Sequence, residues 1–251
     1  MTRRRWIADE VHGNTALLTG EHALHLSRVL RAQVGQKFDI ATGDAVRRGT
    51  ITSISGKRVE FALGDEVAVR PSAKVTLALA IFKFDRMEWA IEKCTEIGVA
   101  RIVPVVARRT DAHLAVAAGK RHERWLRIAL QAAEQSRRAS PPEIMVPIKL
   151  KELGSAGASP ASLAETGKPA ADTPAPRIVL AESETNISLR DVLPSSASEA
   201  VLAIGPEGGW TDDELRWFRE SGWTAASLGN TILRAETAAI IATALALDAL
   251  R

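Results

Sequence analysis

The sequence predicts an α/β protein in which a small β-barrel precedes a larger domain with a mostly parallel sheet covered by helices. Short strands separated by turns run through the first 70 residues. After Pro71, apolar strands alternate with helical segments, as they do in parallel sheets. The chain has 251 residues, 46% of them hydrophobic, which is enough to bury a large core. We therefore expect two domains, residues 1–70 and 73–251.

Three segments of the first domain have the composition of short strands bounded by turn residues. A helix from Glu21 to Leu30 is expected among them, because His22, His25, Leu26, Val29 and Leu30 recur at helical spacing. A boundary is expected at Arg70-Pro71-Ser72. The predicted strands are Lys37 to Ala41, Arg48 to Ile54 and Arg58 to Leu63.

The second domain begins with a predicted strand and a predicted helix, which Asp85 can cap and Gly98 can end. Residues 151–176 are rich in Gly, Ser, Ala and Pro and predict a flexible insertion. The predicted strands are Val75 to Phe82, Ile102 to Val106, Arg177 to Ala181, Ala200 to Ile204 and a short one near Ala225 to Leu228. The predicted helices are Asp85 to Ile97, Arg121 to Arg138, Asp212 to Ser221 and a last one that runs to the C-terminus. Their predicted core residues include Met87, Ala90, Ile91, Cys94, Ile97, Leu126, Ile128, Ala129, Ala132 and Ala133.

Cysteine usage and the N-terminal sequence indicate a cytoplasmic protein. Cys94 is the single cysteine, so the chain can form neither an internal disulfide nor a CxxC pair. The basic start lacks the apolar stretch of a secretory signal, because charge returns at Asp9. The last helix is apolar nearly all round, but its short span favours a buried or interface helix over a membrane span.

The net charge of +3 is distributed unevenly along the chain. The balance of Lys and Arg over Asp and Glu is +3 for residues 1–70, +6 for residues 71–150 and −6 for residues 151–251. A basic first part can follow a phosphate backbone, because each neutralised phosphate releases condensed counterions. A solvated basic surface explains the same charge equally well, so charge alone does not decide between them.

The sequence lacks the motifs of several common enzyme classes. It has no GxxxxGK[ST] phosphate loop, no GxGxxG after a strand, no HExxH and no GxSxG. Nucleotide hydrolysis and NAD chemistry therefore lose support. His22 and His25 share a helical face, but no carboxylate or thiol partner is evident nearby in the sequence. Core or RNA-facing histidines are favoured over metal ligands at these positions.

A glycine-rich segment follows the predicted strand at residues 200–204. It reads Gly205-Pro-Glu-Gly-Gly-Trp210 and leads into Thr211-Asp-Asp-Glu214, a capping box. Backbone without Cβ atoms can approach a ligand closely at the carboxyl edge of a parallel sheet. A tight strand-to-helix turn without a ligand is the alternative, and for this segment alone we favour it.

The second segment, Leu228 to Thr237, places Arg234 and Glu236 at the N-terminus of the apolar last helix. A cation at the positive end of a helix costs stability unless it serves a ligand or a partner charge, whereas Glu236 is favoured there. The alternative is an Arg234–Glu236 surface pair, which contributes little.

Together, the strand-GPEGG-helix segment and the later LGxxILRxET segment resemble the RsmE family. These SPOUT-class methyltransferases methylate N3 of a uridine in small-subunit (16S) ribosomal RNA. Apart from residues 151–176, the resemblance extends over the rest of the chain. It includes Trp6 after the Arg-rich start, His25 to Arg31, Gly35, Arg86 to Lys93, Glu96 to Gly98 and Glu134 to Arg137. Departures from the family pattern occur at Asn230, Thr231 and Ala235.

The resemblance implies a PUA-like β-barrel for RNA and a trefoil-knotted α/β domain that dimerises and binds S-adenosylmethionine in the knot, with no metal and no membrane. The implied RNA partner is 16S rRNA, in the 30S subunit. The implied cofactor contacts are Leu180, Ile204, Gly205, Glu207, Gly208, Leu228, Gly229, Leu233, Glu236, Thr237 and Ala238. We expect phosphate contacts from Arg3, Arg4, Arg5, Arg28 and Arg31.

Methylation of uridine N3 requires loss of its proton, which spreads negative charge onto O2 and O4. We assign Arg234 the stabilisation of that charge. Glu236 is a candidate proton acceptor, with helix capping, cofactor positioning or a water as alternatives. Two other functions stay open, namely a non-catalytic RNA-binding or assembly protein on the same scaffold, and a related methyltransferase with another RNA target.

Overall fold

The computed structural model describes residues 5–43, 45–68, 73–154 and 175–250. The chain divides into two compact units, Met1–Pro71 with Ala133–Pro141 and Ser72–Ala132 with Pro142–Arg251. The expected boundary at Arg70-Pro71-Ser72 lies outside the described residues, as do positions 155–174 of the expected insertion. The described residues 151–154 do not fit the expectation of a flexible stretch, because Leu150–Gly154 forms a 3₁₀ turn in which Leu150 and Leu153 are buried.

The first unit contains one mixed sheet of six strands in the order β1-β4-β5-β6-β3-β2. Strands β4 to β6 occur where the sequence predicts them, but β1 to β3 do not follow from the sequence pattern because two of them have only three residues. Side chains from alternate positions pack into a core that includes Trp6, Leu18, Ile40 and Phe61. The strands are β1 Arg5–Ile7, β2 Glu10–His12, β3 Thr15–Thr19, β4 Lys37–Ala41, β5 Val46–Ser55 and β6 Arg58–Glu66.

The predicted helix at Glu21 to Leu30 is a short α-helix, α1 (Gly20–Leu24), that continues as a π-helical turn, His25–Val29. In that turn Leu30 N donates to His25 O, five residues back. The wider turn rotates the following side chains relative to an α-helix. Leu26 is buried, whereas Val29 is 67% exposed, so the residues that recur at helical spacing do not share one buried face.

The second unit contains a seven-stranded sheet in the order β10-β8-β7-β12-β11-β13, with β9 also paired to β8. All of these pairings are parallel. Side chains on both faces of the sheet are buried, which explains the continuous apolar strands in the sequence. The strands are β7 Lys74–Ala80, β8 Arg101–Val106, β9 Glu143–Ile144, β10 Ile148–Lys149, β11 Arg177–Leu180, β12 Glu199–Ile204 and β13 Thr224–Ala226.

Four helices belong to this architecture, with bounds close to the predicted ones in three cases. Helix α3 begins nine residues before the predicted Arg121, because Asp111 caps it by accepting from His113 N at 2.8 Å, and Gly119 is tolerated inside it. The last residues of α3, from Ala133, belong to the first unit. The helices are α2 Phe84–Ile97, α3 Ala112–Gln135, α4 Asp212–Glu220 and α5 Ala235–Ala249.

Other local predictions for these helices have mixed outcomes. Gly98 ends α2 with φ 123°, as expected of a C-terminal glycine. Asp85 does not cap α2, because the helix begins one residue earlier and Lys83 occupies the cap position. Ile97 and Leu126 were wrongly predicted as core residues and are 36% and 42% exposed. No helix in the described ranges is long and apolar enough to cross a membrane.

Candidate functional site

A cavity of about 680 Å³ lies at the carboxyl edge of the parallel sheet in the second unit. Strand β11 lies between β12 and β13, so the segments that follow these three strands meet at one edge. Leu180 and Ile204, at the ends of β11 and β12, form a buried part of the lining. The cavity volume falls within the range of about 300–1,000 Å³ that is typical of small-molecule sites.

Trp210 fixes the glycine-rich loop after β12. Its buried indole Nε1 donates to Leu180 O at 3.1 Å, which joins this loop to the end of the neighbouring strand β11. A Cβ atom at Gly205 would lie 3.2 Å from that same nitrogen, so a side chain there would press on the indole. Gly209 has φ 68°, which also favours glycine. The glycines therefore serve a specific packing arrangement at the cavity.

The capping box predicted at Thr211 is confirmed, and its glutamate has a second role. Glu214 accepts hydrogen bonds from Thr211 N at 2.8 Å and, through its other oxygen, from Arg108 N at 2.7 Å. Because Arg108 belongs to the segment after β8, this buried carboxylate joins that segment to the start of α4. Two chain segments about 100 residues apart are thereby held together next to the cavity.

Arg86, at the start of α2, connects the two segments that the sequence singled out. Its Nη1 donates to Glu207 Oε1 at 2.9 Å, and its Nε lies 3.8 Å from Glu236 Oε1. The side chain of Glu236 is only 6% exposed, and its second oxygen, Oε2, has no hydrogen-bond partner among the described residues. Arg86 is therefore the cation that compensates this buried carboxylate.

Arg109 contacts the glycine-rich loop from the segment after β8. Its Nη1 donates to Gly208 O at 2.6 Å and to Trp210 O at 3.3 Å. Like Arg86, Arg109 lines the cavity, and sequence reasoning gave neither residue a role. A usable signal was present, since both follow strands whose carboxyl ends face this edge of the sheet.

Arg234 is exposed at the cavity and occupies the N-cap position of α5, with no side-chain hydrogen bond to the helix. No carboxylate within the described ranges forms an ion pair with it, so the alternative of an Arg234–Glu236 surface pair is absent from the structure. Upstream, Gly229 has φ 119°, a backbone conformation that residues with a side chain rarely adopt.

The structure brings most of the predicted site residues to one place. Glu236 and Thr237 do not line the cavity, and Glu236 lies buried beside Arg86. A segment that was not predicted, Ala181 to Thr185, forms another part of the wall. The predicted residues that line the cavity are Leu180, Ile204, Gly205, Glu207, Gly208, Leu228, Gly229, Leu233, Arg234 and Ala238.

Comparison with known proteins identifies the family. A model of the RNA methyltransferase domain matches residues 69–247. The ribosomal RNA small subunit methyltransferase E of Synechocystis is 33% identical over 231 residues, which is 92% of this chain and 72% of that protein. The chain belongs to the RsmE family of RNA methyltransferases. It is therefore an enzyme, as was predicted.

Two solved structures with bound S-adenosylmethionine support this assignment to the RsmE family. The RsmE protein of Neisseria gonorrhoeae superposes with a TM-score of 0.77 at 28% identity, covering 97% of this chain and 96% of that one. A methyltransferase from Legionella pneumophila gives a TM-score of 0.76 at 29% identity, covering 98% and 96%. The prediction of a mixed α/β fold with a parallel sheet is thus confirmed.

The cavity of this RsmE protein fits an adenosyl cofactor by its chemistry. Its lining combines apolar side chains, such as Leu180, Ile204 and Ala238, with backbone groups of two glycine-containing loops. Apolar surface suits the faces of an adenine ring, and backbone N–H and C=O groups suit its polar edge. The described residues contain no cluster of three or more His, Cys, Asp or Glu side chains that could hold a metal ion.

The candidate RNA-binding residues lie in the first unit. Arg28 and Arg31 are exposed. Arg5 instead donates from Nη1 to Arg137 O. Arg3 and Arg4 fall outside the described residues. His25 is exposed, with its ring 5.8 Å from that of Trp6. His22 instead lies between two carboxylates, with Nδ1 3.1 Å from Asp9 Oδ1 and Nε2 3.1 Å from Glu134 Oε1.

Proposed function

We propose that this protein methylates N3 of a specific uridine in 16S ribosomal RNA. The observation that carries the proposal is the unpaired, exposed Arg234 at a cavity suited to S-adenosylmethionine, in a chain of the RsmE family. When bound, S-adenosylmethionine supplies a methyl group on a sulfonium, which a deprotonated uridine nitrogen displaces in line. The residues of this chain must orient the two reactants and exclude water.

Arg234 is suited to stabilise the uridine anion. Removal of the N3 proton leaves negative charge on O2 and O4 of the base. A guanidinium without a competing carboxylate can donate two hydrogen bonds to such an edge. Because the stabilisation is needed only as the proton leaves, it accelerates the reaction rather than tightening ground-state binding.

Glu236 has a position that favours a supporting role over that of a proton acceptor. Its carboxylate is buried off the cavity lining, behind Arg86 and the start of α5. A base must come within hydrogen-bond reach of the proton it accepts. We therefore propose that Glu236 positions Arg86, which in turn binds Glu207 of the glycine-rich loop. A water would then accept the N3 proton.

The first unit is proposed to bind RNA as a PUA-like barrel. Arg28 and Arg31 flank the end of the π-helical turn, and Arg31 has φ 50°, an uncommon conformation for a residue with a side chain. Such turns and conformations occur often at functional sites. These two arginines are the described candidates for phosphate contacts, with Arg5 directed to the Arg137 carbonyl. The target base would have to be flipped out of the folded RNA.

The trefoil knot and the homodimer are proposed on the resemblance to the family. Exposed apolar side chains on two helices support an association between copies, because Trp89 of α2 is 47% exposed and Ile241 of α5 is 36% exposed. Light scattering at micromolar concentration is expected to give twice the chain mass of 27.0 kDa. A monomer would contradict the dimer. A 16S rRNA substrate would place the enzyme in the cytoplasm.

Mass spectrometry of 16S rRNA tests the proposed activity. The protein is incubated with isotopically labelled S-adenosylmethionine and unmethylated 30S subunits, and in parallel with protein-free 16S rRNA. One labelled N3-methyluridine is expected at a single position. Label on another base or on tRNA would assign a different substrate, and RNA binding without any label would indicate the non-catalytic alternative.

A further inference from the structure

The cavity contains three arginines whose charges are compensated differently. Arg86 is shared between the carboxylates of Glu207 and Glu236. No ion pair joins Arg109 or Arg234 to a carboxylate among the described residues. Arg234 has a role in the proposed reaction, but the reaction as described gives Arg109 none.

None of the four acidic side chains that line the cavity forms an ion pair with Arg109 in the described part of the chain. Glu207 is bound by Arg86, and Glu184 accepts from the backbone N–H groups of Asn186 and Ile187 at 2.8 and 3.1 Å. Asp212 stands in the first turn of α4, where a negative charge is favoured. Glu182 is exposed and forms no ion pair among the described residues. Arg109 therefore has no carboxylate partner within the described ranges.

The guanidinium of Arg109 is held in a fixed orientation. Hydrogen bonds from Nη1 to Gly208 O and Trp210 O use both protons of that nitrogen. The segment that carries Arg109 is itself anchored, since Ala107 N donates to Thr110 Oγ1 at 3.1 Å and Thr110 Oγ1 donates to Ile81 O at 3.2 Å. The remaining donors, on Nε and Nη2, have no partner in the described part of the chain.

Nε and Nη2 form one planar edge of the guanidinium, with hydrogen-bond donors spaced to bind two oxygens of one anion. Arg109 and Gly208, which it contacts, are both exposed, whereas Leu180 and Ile204 of the same cavity are buried. Arg109 thus stands on the solvent side, where a polymer must approach. An RNA substrate carries a phosphate on each side of its target base.

We propose that Arg109 binds a phosphate of the RNA substrate next to the target nucleotide, through its Nε and Nη2 edge. This inference rests on the proposed function and adds a residue that positions the substrate. Bound in this way, the phosphate would fix the nucleotide relative to the glycine-rich loop that Arg109 also contacts. One side chain would then position the target nucleotide relative to the cofactor cavity. A carboxylate of the cofactor has similar fork geometry, and the experiment must separate the two.

Salt-dependent RNA binding by the full-length protein tests the proposal, with Arg109→Gln compared with Arg108→Gln. Arg108 is the matched control, because it is exposed on the same segment but does not line the cavity. Each variant is first saturated with S-adenosylhomocysteine, so that a change in cofactor affinity cannot influence the result. The affinity for a 16S rRNA transcript is then measured from about 50 to 200 mM salt.

For Arg109→Gln we expect about tenfold weaker RNA binding and a plot of log affinity against log salt that is less steep by about 0.7 to 1, the effect of one phosphate contact. Arg108→Gln is expected to match the wild type in both respects. Arg109→Lys keeps the charge but loses the fork, so its slope should stay at the wild-type value while its affinity falls several-fold.

Two results would overturn the inference. One is an unchanged slope for Arg109→Gln together with weaker binding of S-adenosylhomocysteine in calorimetry, which would assign Arg109 to the cofactor or to its loop. The other is an equal slope change in both glutamine variants, which would indicate diffuse charge. If the wild-type protein neither binds nor methylates the RNA, the proposed function fails instead, and the two failures are thereby distinguished.

Discussion

Two regions of the molecule, the His22 cluster of the first unit and the cavity of the second unit, use cationic side chains in different ways. In the first unit, His22 is bound on both sides by carboxylates, and Arg48 lies 2.8 Å from Asp39 Oδ1. In the second unit, Arg109 and Arg234 line the cavity and form no ion pair with any carboxylate of the described residues. Paired charges stabilise the fold of the unit that contains them, whereas unpaired cations at a cavity are available to an anionic ligand.

Replacement of Arg234 is expected to have the largest effect. Arg234→Ala should lower kcat by about 100- to 1,000-fold, the usual cost of losing one donor that stabilises developing negative charge. The affinity for S-adenosylmethionine, measured by calorimetry, should stay within about threefold, because the side chain is directed to the substrate in our proposal. Unchanged turnover would remove Arg234 from catalysis and weaken the contrast between paired and unpaired cations.

The Arg86–Glu236 pair is intermediate between the paired and the unpaired cations, since it combines a buried carboxylate with a cation that lines the cavity. Arg86→Met should lower the free energy of unfolding by about 2 kcal/mol or more, because it leaves the Glu236 charge buried without a partner. Adding Glu236→Gln should recover a large part of that loss. Chemical denaturation of both single variants and the double variant checks this, and strictly additive losses would show that the two side chains are uncoupled.

Exposed arginines of the first unit provide a third test, because they too lack carboxylate partners among the described residues. Reversing Arg28 and Arg31 to Glu together should weaken RNA binding by about tenfold at moderate salt and reduce its salt dependence. Cofactor affinity should be unaffected. Reversal of Lys37, an exposed residue of β4, provides a control of the same sign. If the effect per reversed charge is the same for the arginine pair as for Lys37, the two arginines contribute only general positive charge.

The His22 cluster should give the smallest effect, a dependence of stability on pH. The carboxylate of Glu134, with Oε1 3.1 Å from Nε2, is the main reason that the pKa of His22 is raised from 6.5 to about 9. The folded protein therefore binds the proton more tightly than the unfolded chain does. The resulting stabilisation is complete below pH 6.5 and is lost as the pH rises through 9, and we expect it to be on the order of 1–2 kcal/mol.

Urea denaturation at pH 6 and above pH 9 measures this contribution of His22. The wild-type protein should lose more stability over that interval than His22→Gln, which has no imidazolium to lose. His25→Gln is the matched control, because His25 is exposed and contacts the Trp6 ring but no carboxylate among the described residues. Equal pH dependence of all three proteins would contradict the role of the cluster.

Local sequence signals predicted a large part of the second unit. The capping box at Thr211 and the terminal glycine at Gly98 were found because each depends on residues within one helical turn. Strands β7, β8, β11 and β12 were found because burial on both faces makes them continuously apolar. The strand ends then indicated where the site would lie.

The predictions that failed depend on contacts that the local sequence does not show. Leu126 was predicted to be buried, but packing leaves it on the outer face of α3. The spacing of residues 22–30 predicted a helix, but not the π-helical turn that leaves Val29 exposed. β1 and β2, with three residues each, are too short to give a periodic signal, and β1 is paired with β4 and β2 with β3, which in turn pairs with β6. Their place depends on partners that follow later in the chain.

By itself, the sequence singled out the two loops at Gly205 and Leu228 that line the cavity and the unusual position of Arg234, since these rest on residue type and nearest neighbours. Only the tertiary structure showed that Arg86 and Arg109 reach the same cavity and that Glu236 is buried beside Arg86. The physical reason is strand order. β7 and β8, which precede Arg86 and Arg109, lie beside β12 in the sheet, with β11 and β13 on its other side. This order brings the loops together with side chains that are about 100 residues away in sequence.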